Sequence, residues 1–310
     1  MPVPRDDAIF LNRATARRRG IPLEDLLGSR HTKLFFDCYV PSTYTVTPAL
    51  LVRAAMYCWP DARGASHHSA AQLWGGVVPK SSDVHLAVDS ECRMKRMGIK
   101  THRHAECPVM SRHAGIALTS PTQTFLDLAG GLDLVDVVIL GDSLVKKSRV
   151  TIEELQRSAA VARGRGHLKA SRASKLVRAA VDSPNETRLR LLMVLAGLPE
   201  PLVNVTIRDS DGEIMRRLDL GYEVPKLAVE YDGRHHIERE PQWERDLRRR
   251  EELEAQGWRF VVITSTDIYL KPEQTLARIT AAMNLQGMVI PRLHERWRNY
   301  FAAGPASCVA

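Results

Sequence analysis

Apolar positions along the chain recur mostly at helical spacing, and strand-like alternation is confined to a few short runs. Leu51, Ala54, Ala55 and Cys58 predict a helix over 48–59, and amphipathic helices are expected at 132–144 and 151–162. A further helix opens at Ser183-Pro184-Asn185-Glu186 and closes at Gly197. Ser183 suits the N-cap, Pro184 the first helical position, and Glu186 follows three residues later as in a capping box. Near the start, 14–20 and 21–28 read as short helices. The segment 33–46 has strand-like composition interrupted by Pro41. Residues 83–88 alternate as a strand, and 115–129 read as a strand, a turn at Ser120-Pro121 and a capped helix. Residues 202–207 form another strand. Pro241 and Gly257 bound a charged helix that offers Trp243, Leu247 and Leu253 to a core, and 260–263 is a last apolar strand.

Between these last elements lies the stretch that carries chemistry. Residues 218–222 and 226–231 are two apolar-rich runs joined by Glu223-Val224-Pro225, where Pro marks a turn. Alternation sends Leu227, Val229 and Tyr231 to one face of the second strand and Lys226, Ala228, Glu230 and Asp232 to the other. Asp219 on the paired strand can join Glu230 and Asp232. Carboxylates gathered in this way repel one another unless a cation lies between them, and an oxygen-only donor set suits Mg²⁺ or Mn²⁺. The other reading is a solvated edge whose acids discourage edge-to-edge pairing.

At 310 residues the chain has room for two or three domains. Its 44% hydrophobic and 26% charged content is that of a soluble globular protein with real cores. The net charge of +8 favours a polyanionic partner such as nucleic acid. Residues 1–10 carry two acids and lack the apolar segment of a secretory signal, and no run is long enough for a membrane span. Cys38, Cys58, Cys92, Cys107 and Cys308 are odd in number and include no CxxC pair. They read as reduced thiols of a cytoplasmic protein.

Basic residues gather at two places. Arg17, Arg18 and Arg19 lie in the first short helical stretch and are candidates for phosphate contacts. Residues 163–178, with Lys169, Arg172 and Lys175, are either a flexible linker or a helix that tracks phosphate. The histidines of the first half of the chain suggest no site. Adjacent His67 and His68 cannot share a helix face and read as satisfied structural residues behind a capping Ser66. His102, His104 and Cys107 follow Cys92 at a spacing that matches no standard zinc pattern.

The run LDLGYEVPKLAVEYDGRHH, followed by RDLRRREELEAQGWRFVVIT, resembles the very-short-patch-repair-like endonucleases of the PD-(D/E)XK superfamily. The likeness covers about the last third of the chain. It implies a Mg²⁺- or Mn²⁺-dependent nuclease with Asp219, Glu230 and Asp232 at the metal, and with an acid on the preceding helix, here Glu186, helping to hold the metal or its water. Asp246 and Arg249 match the family's D-x-x-R pair beside the site. Asp232 stands where the superfamily's name puts a lysine, so the resemblance leaves metal-bound hydroxide, His235 or His236 to position the nucleophile or protonate the leaving group, with Lys226 a further stand-in. Val262 stands where relatives often carry an arginine.

SHHSAAQLWG, RHAECPV and GIALTSPTQTFLDLA resemble the AbiEi type of antitoxin and transcriptional regulator, in which a winged helix precedes a larger helical domain. The expected architecture is mixed α/β: a winged-helix-like segment at 1–60, an α-rich AbiEi-like domain at 61–162 and a basic linker at 163–181. A restriction-endonuclease-like domain with a central mixed sheet flanked by helices follows at 182–290, and then a tail at 291–310. Two functions follow from these readings: a metal-dependent endonuclease acting on DNA, or a non-catalytic, antitoxin-like DNA-binding regulator with a degenerate nuclease fold. The sequence leaves open a homodimer or a partner protein.

Overall fold

The computed structural model describes residues 9–91, 95–104, 107–208, 211–233 and 240–301, without the side chains of 240–247. The chain divides into two compact units, one of Met1–Leu132 with Lys147–Ser174, the other of Asp133–Lys146 with Lys175–Ala310.

The first unit begins with α1 (Arg13–Arg18), α2 (Leu23–Leu27) and the antiparallel pair β1 (His31–Phe35) and β2 (Cys38–Pro41). Asn12 caps α1 by accepting the Thr15 N–H, and Leu11, Ala16, Leu26 and Tyr39 form the small core beneath. Then follow α3 (Pro48–Cys58), β3 (Gly64–Ala65), α4 (His67–Trp74), β4 (Val84–Asp89), β5 (Ile99–His104), β6 (Met110–His113), β7 (Ile116–Thr119) and α5 (Pro121–Ala129). The five strands form one mixed sheet in the order β5-β4-β3-β7-β6. An α-rich middle region was expected. The sheet goes beyond that because its strands are short, β3 being a two-residue pairing that no periodicity reveals.

The next helix, α6 (Leu134–Lys146), belongs to the second unit, and the chain then returns to the first for α7 (Ile152–Val161) and most of α8 (His167–Leu176). Thr151 and Glu154 form a full capping box on α7. Of the two forms open to the basic stretch, the structure takes the helix. Ala170 and Ala173, three residues apart, give α8 a buried seam that a flexible linker would lack.

The second unit continues with α9 (Pro184–Ala196), β8 (Leu202–Arg208), β9 (Ile214–Tyr222), β10 (Leu227–Asp232), α10 (Glu240–Ala255), β11 (Arg259–Thr264), α11 (Ser265–Tyr269) and α12 (Pro272–Leu285), and ends in a 3-10 turn, Glu295–Asn299. Its sheet runs β11-β10-β9-β8, with β10 and β11 parallel and the other pairs antiparallel. On one face Ala228 packs with Val205, Leu218, Leu253 and Trp258, which brings in α10. Alternation turns Tyr231 the other way, toward α9. The strands are thus covered on both sides, as a mixed sheet flanked by helices requires.

Helix α9 is fixed by its ends. The Ser183 hydroxyl accepts the Glu186 N–H, Pro184 holds the first position, and Gly197 closes the helix at φ +92°, a conformation glycine adopts without strain. Its middle is anchored by charge. The Arg190 side chain is fully buried and its guanidinium donates to Asp142 of α6 at 3.1 Å and to Glu200 at 3.3 Å. Asp142 also accepts from the Thr187 hydroxyl at 2.8 Å and the Arg178 N–H at 2.7 Å. Removing one partner of such a pair strands the other charge in a dry interior. Asp142→Ala is therefore expected to lower unfolding stability by about 3 kcal/mol or more in urea denaturation, and a loss below about 1 kcal/mol would contradict the anchoring role.

Candidate active site

The ladders on either side of β9 part at one residue. β9 and β10 pair through Leu227↔Tyr222, Ala228↔Gly221 and Val229↔Leu220, and no pair follows toward Asp219. On the other side, the β8–β9 register runs Val203↔Leu220 and then Val205↔Leu218, passing over Asn204 opposite Asp219. Asn204 adopts φ +55°, a left-handed conformation that Asn tolerates better than most residues. Its side chain is tied to the Ala180 carbonyl, to Asp182 and to Arg217. Instead of continuing the backbone ladder, the Asp219 Oδ2 accepts the Tyr231 N–H at 2.8 Å.

Asp219 is held among like charges. Burial, followed by the negative charge of Glu186, pushes its carboxyl up from 3.8 to about 7; Glu230 and Asp182 push the same way and the Tyr231 N–H opposes them. Glu186 is itself buried, and its Oε2 accepts the Asp182 N–H at 2.9 Å. That contact falls one residue short of the Ser183 N–H which a capping box would use. Glu186 is thus a helix-end ligand and a source of field on Asp219 at once.

Glu230 is paired differently. Arg216 on the neighbouring strand donates to both of its oxygens, at 3.1 and 2.9 Å, in the bidentate geometry that guanidinium and carboxylate favour. The Arg216 guanidinium lies 5.2 Å from the Phe260 ring centre and that of Arg250 lies 5.0 Å from it. Tyr231 ties this strand to the start of α9: its hydroxyl accepts from Asn185 at 2.8 Å, and Asn185 in turn accepts from Tyr269 at 3.0 Å.

The remaining sequence candidates are placed as follows. Asp232 is half-buried at the end of β10, level with Thr264, and its charge helps raise the Tyr231 hydroxyl, whose main cause of shift is burial. Lys226 lies in the turn rather than on the strand, at φ +53°, with its Nζ on the Gln256 carbonyl, and so points its charge elsewhere. Val262 offers its carbonyl to Arg278 at 2.9 Å. Arg249 is exposed on α10, while His235, His236 and the Asp246 side chain lie outside the described residues. In the first unit, Arg17, Arg18, Arg19 and Arg172 are exposed, and Lys169 is half-buried with its Nζ on the Leu132 carbonyl; Lys175, where the second unit resumes, is exposed. Sequence reasoning missed Arg216 and Asp182. In register the residue opposite Glu230 is Asp219, and strict alternation assigns Arg216 to the other face, so no local signal pointed to it.

Residues 204–283 match a family model described as REase_MTES_1575, a restriction-endonuclease-like family. The match supports a restriction-endonuclease-like domain in the C-terminal part of the chain. The chain is also 27% identical over 213 residues to two uncharacterized proteins of Mycobacterium tuberculosis, MT2308 of strain CDC 1551 and Rv2248 of strain H37Rv. Each match spans 68% of this chain and 78% of the relative. No helix among the described residues is long and apolar enough to cross a membrane.

The donor chemistry fits a hard divalent cation. Among the described residues no three carboxylate, imidazole or thiol groups already surround one point. Mg²⁺ needs no such cage, since it keeps several waters and is usually held by one or two carboxylates with substrate phosphate. Asp219 and Glu230 could supply that pair; burial is the main push on Asp219, and the further push from Glu186 and Glu230 is repulsion that a cation would relieve.

The raised carboxyl has a measurable consequence. Folded Asp219 holds its proton more tightly than the unfolded chain does, so its contribution to stability is present below about 3.8 and is lost as pH rises through about 7. Asn reproduces the neutral acid at every pH. In metal-free buffer Asp219→Asn is expected to melt roughly 2–4 °C above wild type at pH 8 for each kcal/mol relieved, with the gap closing toward pH 4. Equal melting at pH 8, or a gap that widens in acid, would contradict this account.

Proposed function

We propose that the protein is a metal-dependent endonuclease that hydrolyses phosphodiester bonds of DNA. The observation that carries this reading is Asp219, kept between Glu186 and Glu230 at the break in β9's pairing, within a restriction-endonuclease-like domain. Asp219 and Glu230 would hold Mg²⁺ or Mn²⁺, with Glu186 placed to hold the ion's water. Bound there, the cation would polarise the scissile phosphate and acidify a water.

The chain's own groups do the rest. Asp219, ionised once its negative neighbours are compensated, orients the attacking water. Arg216, released from Glu230, is a guanidinium suited to a phosphate oxygen. His235 or His236, just beyond Asp232, would protonate the leaving oxygen. In this reading the very-short-patch-repair-like resemblance describes the catalytic module at 182–290. The winged-helix-like and AbiEi-like regions deliver it to nucleic acid through Arg17, Arg18 and Arg19 and the basic face of α8, with Lys169, Arg172 and Lys175; Asp246 and Arg249 flank the site.

One observation favours a second reading. Arg216 already neutralises Glu230, and Asp232 replaces the superfamily's lysine, as in a nuclease fold retained only to bind DNA. The two readings part on one assay: wild type and Asp219→Asn incubated with plasmid, mismatched duplex, single-stranded DNA and structured RNA, in Mg²⁺, in Mn²⁺ and in EDTA. The endonuclease reading predicts cleavage that needs the metal and falls at least about 100-fold in the variant, while DNA binding persists. Binding without cleavage by either protein would select the regulator.

A further inference from the structure

Five histidines from three elements of the first unit meet in one place, although nothing in their spacing announces it. His67 and His68 open α4, His85 lies on β4, and His102 and His104 end β5. The His67 ring stacks on His102 with centres 3.4 Å apart, and His68 lies 4.7 Å from His85. The His85 Nδ1 and the His102 Nε2 share a hydrogen bond of 2.9 Å, and the His85 Nε2 shares another with the Ser81 hydroxyl at 2.8 Å. Of the two histidines that the sequence reads as satisfied, His67 shares a 3.2 Å hydrogen bond between its Nδ1 and the Ser66 hydroxyl, whereas His68 departs from that reading. The His68 Nδ1 and the His104 Nε2 are buried without a partner, as is the Oδ2 of Asp127.

Asp127 on α5 is the decisive neighbour. Its side chain is only 7% exposed, and Gln123 donates to its Oδ1 at 2.8 Å while Oδ2 is left over. The His67 Nδ1 stands 3.9 Å from that oxygen, too far for a hydrogen bond. Two donors on one tetrahedral metal at ~2.0–2.1 Å lie about 3.3 Å apart, so this gap is close to a shared ion and has no use as a direct contact. The His104 ring centre is 6.3 Å from that of His67. His67 is also held at φ +47°, a strained backbone for a residue with a large side chain, and Ser66 makes no side-chain cap there as the sequence suggests.

We propose that the first unit binds a zinc-class divalent transition metal through His67, His104 and Asp127. Imidazole nitrogen with one carboxylate is the donor set of borderline metals, in contrast to the all-oxygen site of the second unit. Gln123 fixes the carboxylate, and Ser81 and His85 fix His102 against the His67 ring, the kind of outer support that orients metal ligands. Among the described residues no three donors yet surround one point, so binding draws His104 and His67 inward onto Asp127 and eases the His67–His102 stack.

The test uses the full chain, without a histidine tag and stripped with chelator, titrated with Zn²⁺ and with Co²⁺. The expected result is one equivalent bound, a rise in Tm, and the visible absorption of Co²⁺ in a nitrogen–oxygen site. Asp127→Asn and His104→Ala are each expected to weaken binding at least 10-fold, with folding verified by circular dichroism. His113→Gln, on β6 and outside the group, is expected to bind as wild type does. Absence of a stoichiometric site, or Zn²⁺ affinity unchanged in Asp127→Asn and lost in Asp219→Asn, would overturn the proposal. Because cleavage is not the readout, its failure would be distinct from failure of the endonuclease reading.

Discussion

Buried negative charge is the constraint on which the C-terminal unit depends. Asp219, Glu186 and Glu230 influence one another in a partly dry setting, where like charges repel far more than they do in water. The fold meets that repulsion in three ways: Arg216 neutralises Glu230, the Tyr231 and Asp182 N–H groups bond to Asp219 and Glu186, and Asp219 is pushed toward its protonated form. None of these removes the cause. An arrangement that keeps its acids together under strain is suited to a cation that arrives with substrate, and strain of this kind gathers at functional sites.

The surrounding structure supplies rigidity at that point. The β9–β10 ladder ends before Asp219 and the β8–β9 ladder passes over it, which frees its carboxyl from the sheet's regular pattern, and the Asn204 side chain ties the irregular backbone to its surroundings. The start of α9, which carries Glu186, is pinned to β10 through Asn185 and Tyr231 and anchored farther along by Arg190 on Asp142. Small adjustments to any of these ties would move a carboxylate relative to its neighbours, and so would change the charge balance directly.

Much of this was legible in the sequence where the signal is local. Ser183, Pro184 and Gly197 set the ends of α9, and Pro225 marked the hairpin turn, because caps and turns depend on residues a few positions apart. Asp219 and Glu230 emerged as a pair because a hairpin's alternation is also local. What the sequence withheld is long-range. The break opposite Asn204 depends on a left-handed residue that has no strong signature, the choice of Arg216 as partner for Glu230 depends on register, and the histidine group needs three elements to meet. The middle sheet was under-read for the same reason, its strands being too short to show a period.

The most direct test of the account is the titration of the Asp219 carboxyl itself, followed by ¹³C NMR of aspartate-labelled protein and assigned by comparison with Asp219→Asn. The account predicts a carboxyl that titrates near 7 in metal-free buffer and well below that with saturating Mg²⁺. A carboxyl that titrates near 4 and does not respond to Mg²⁺ would contradict it.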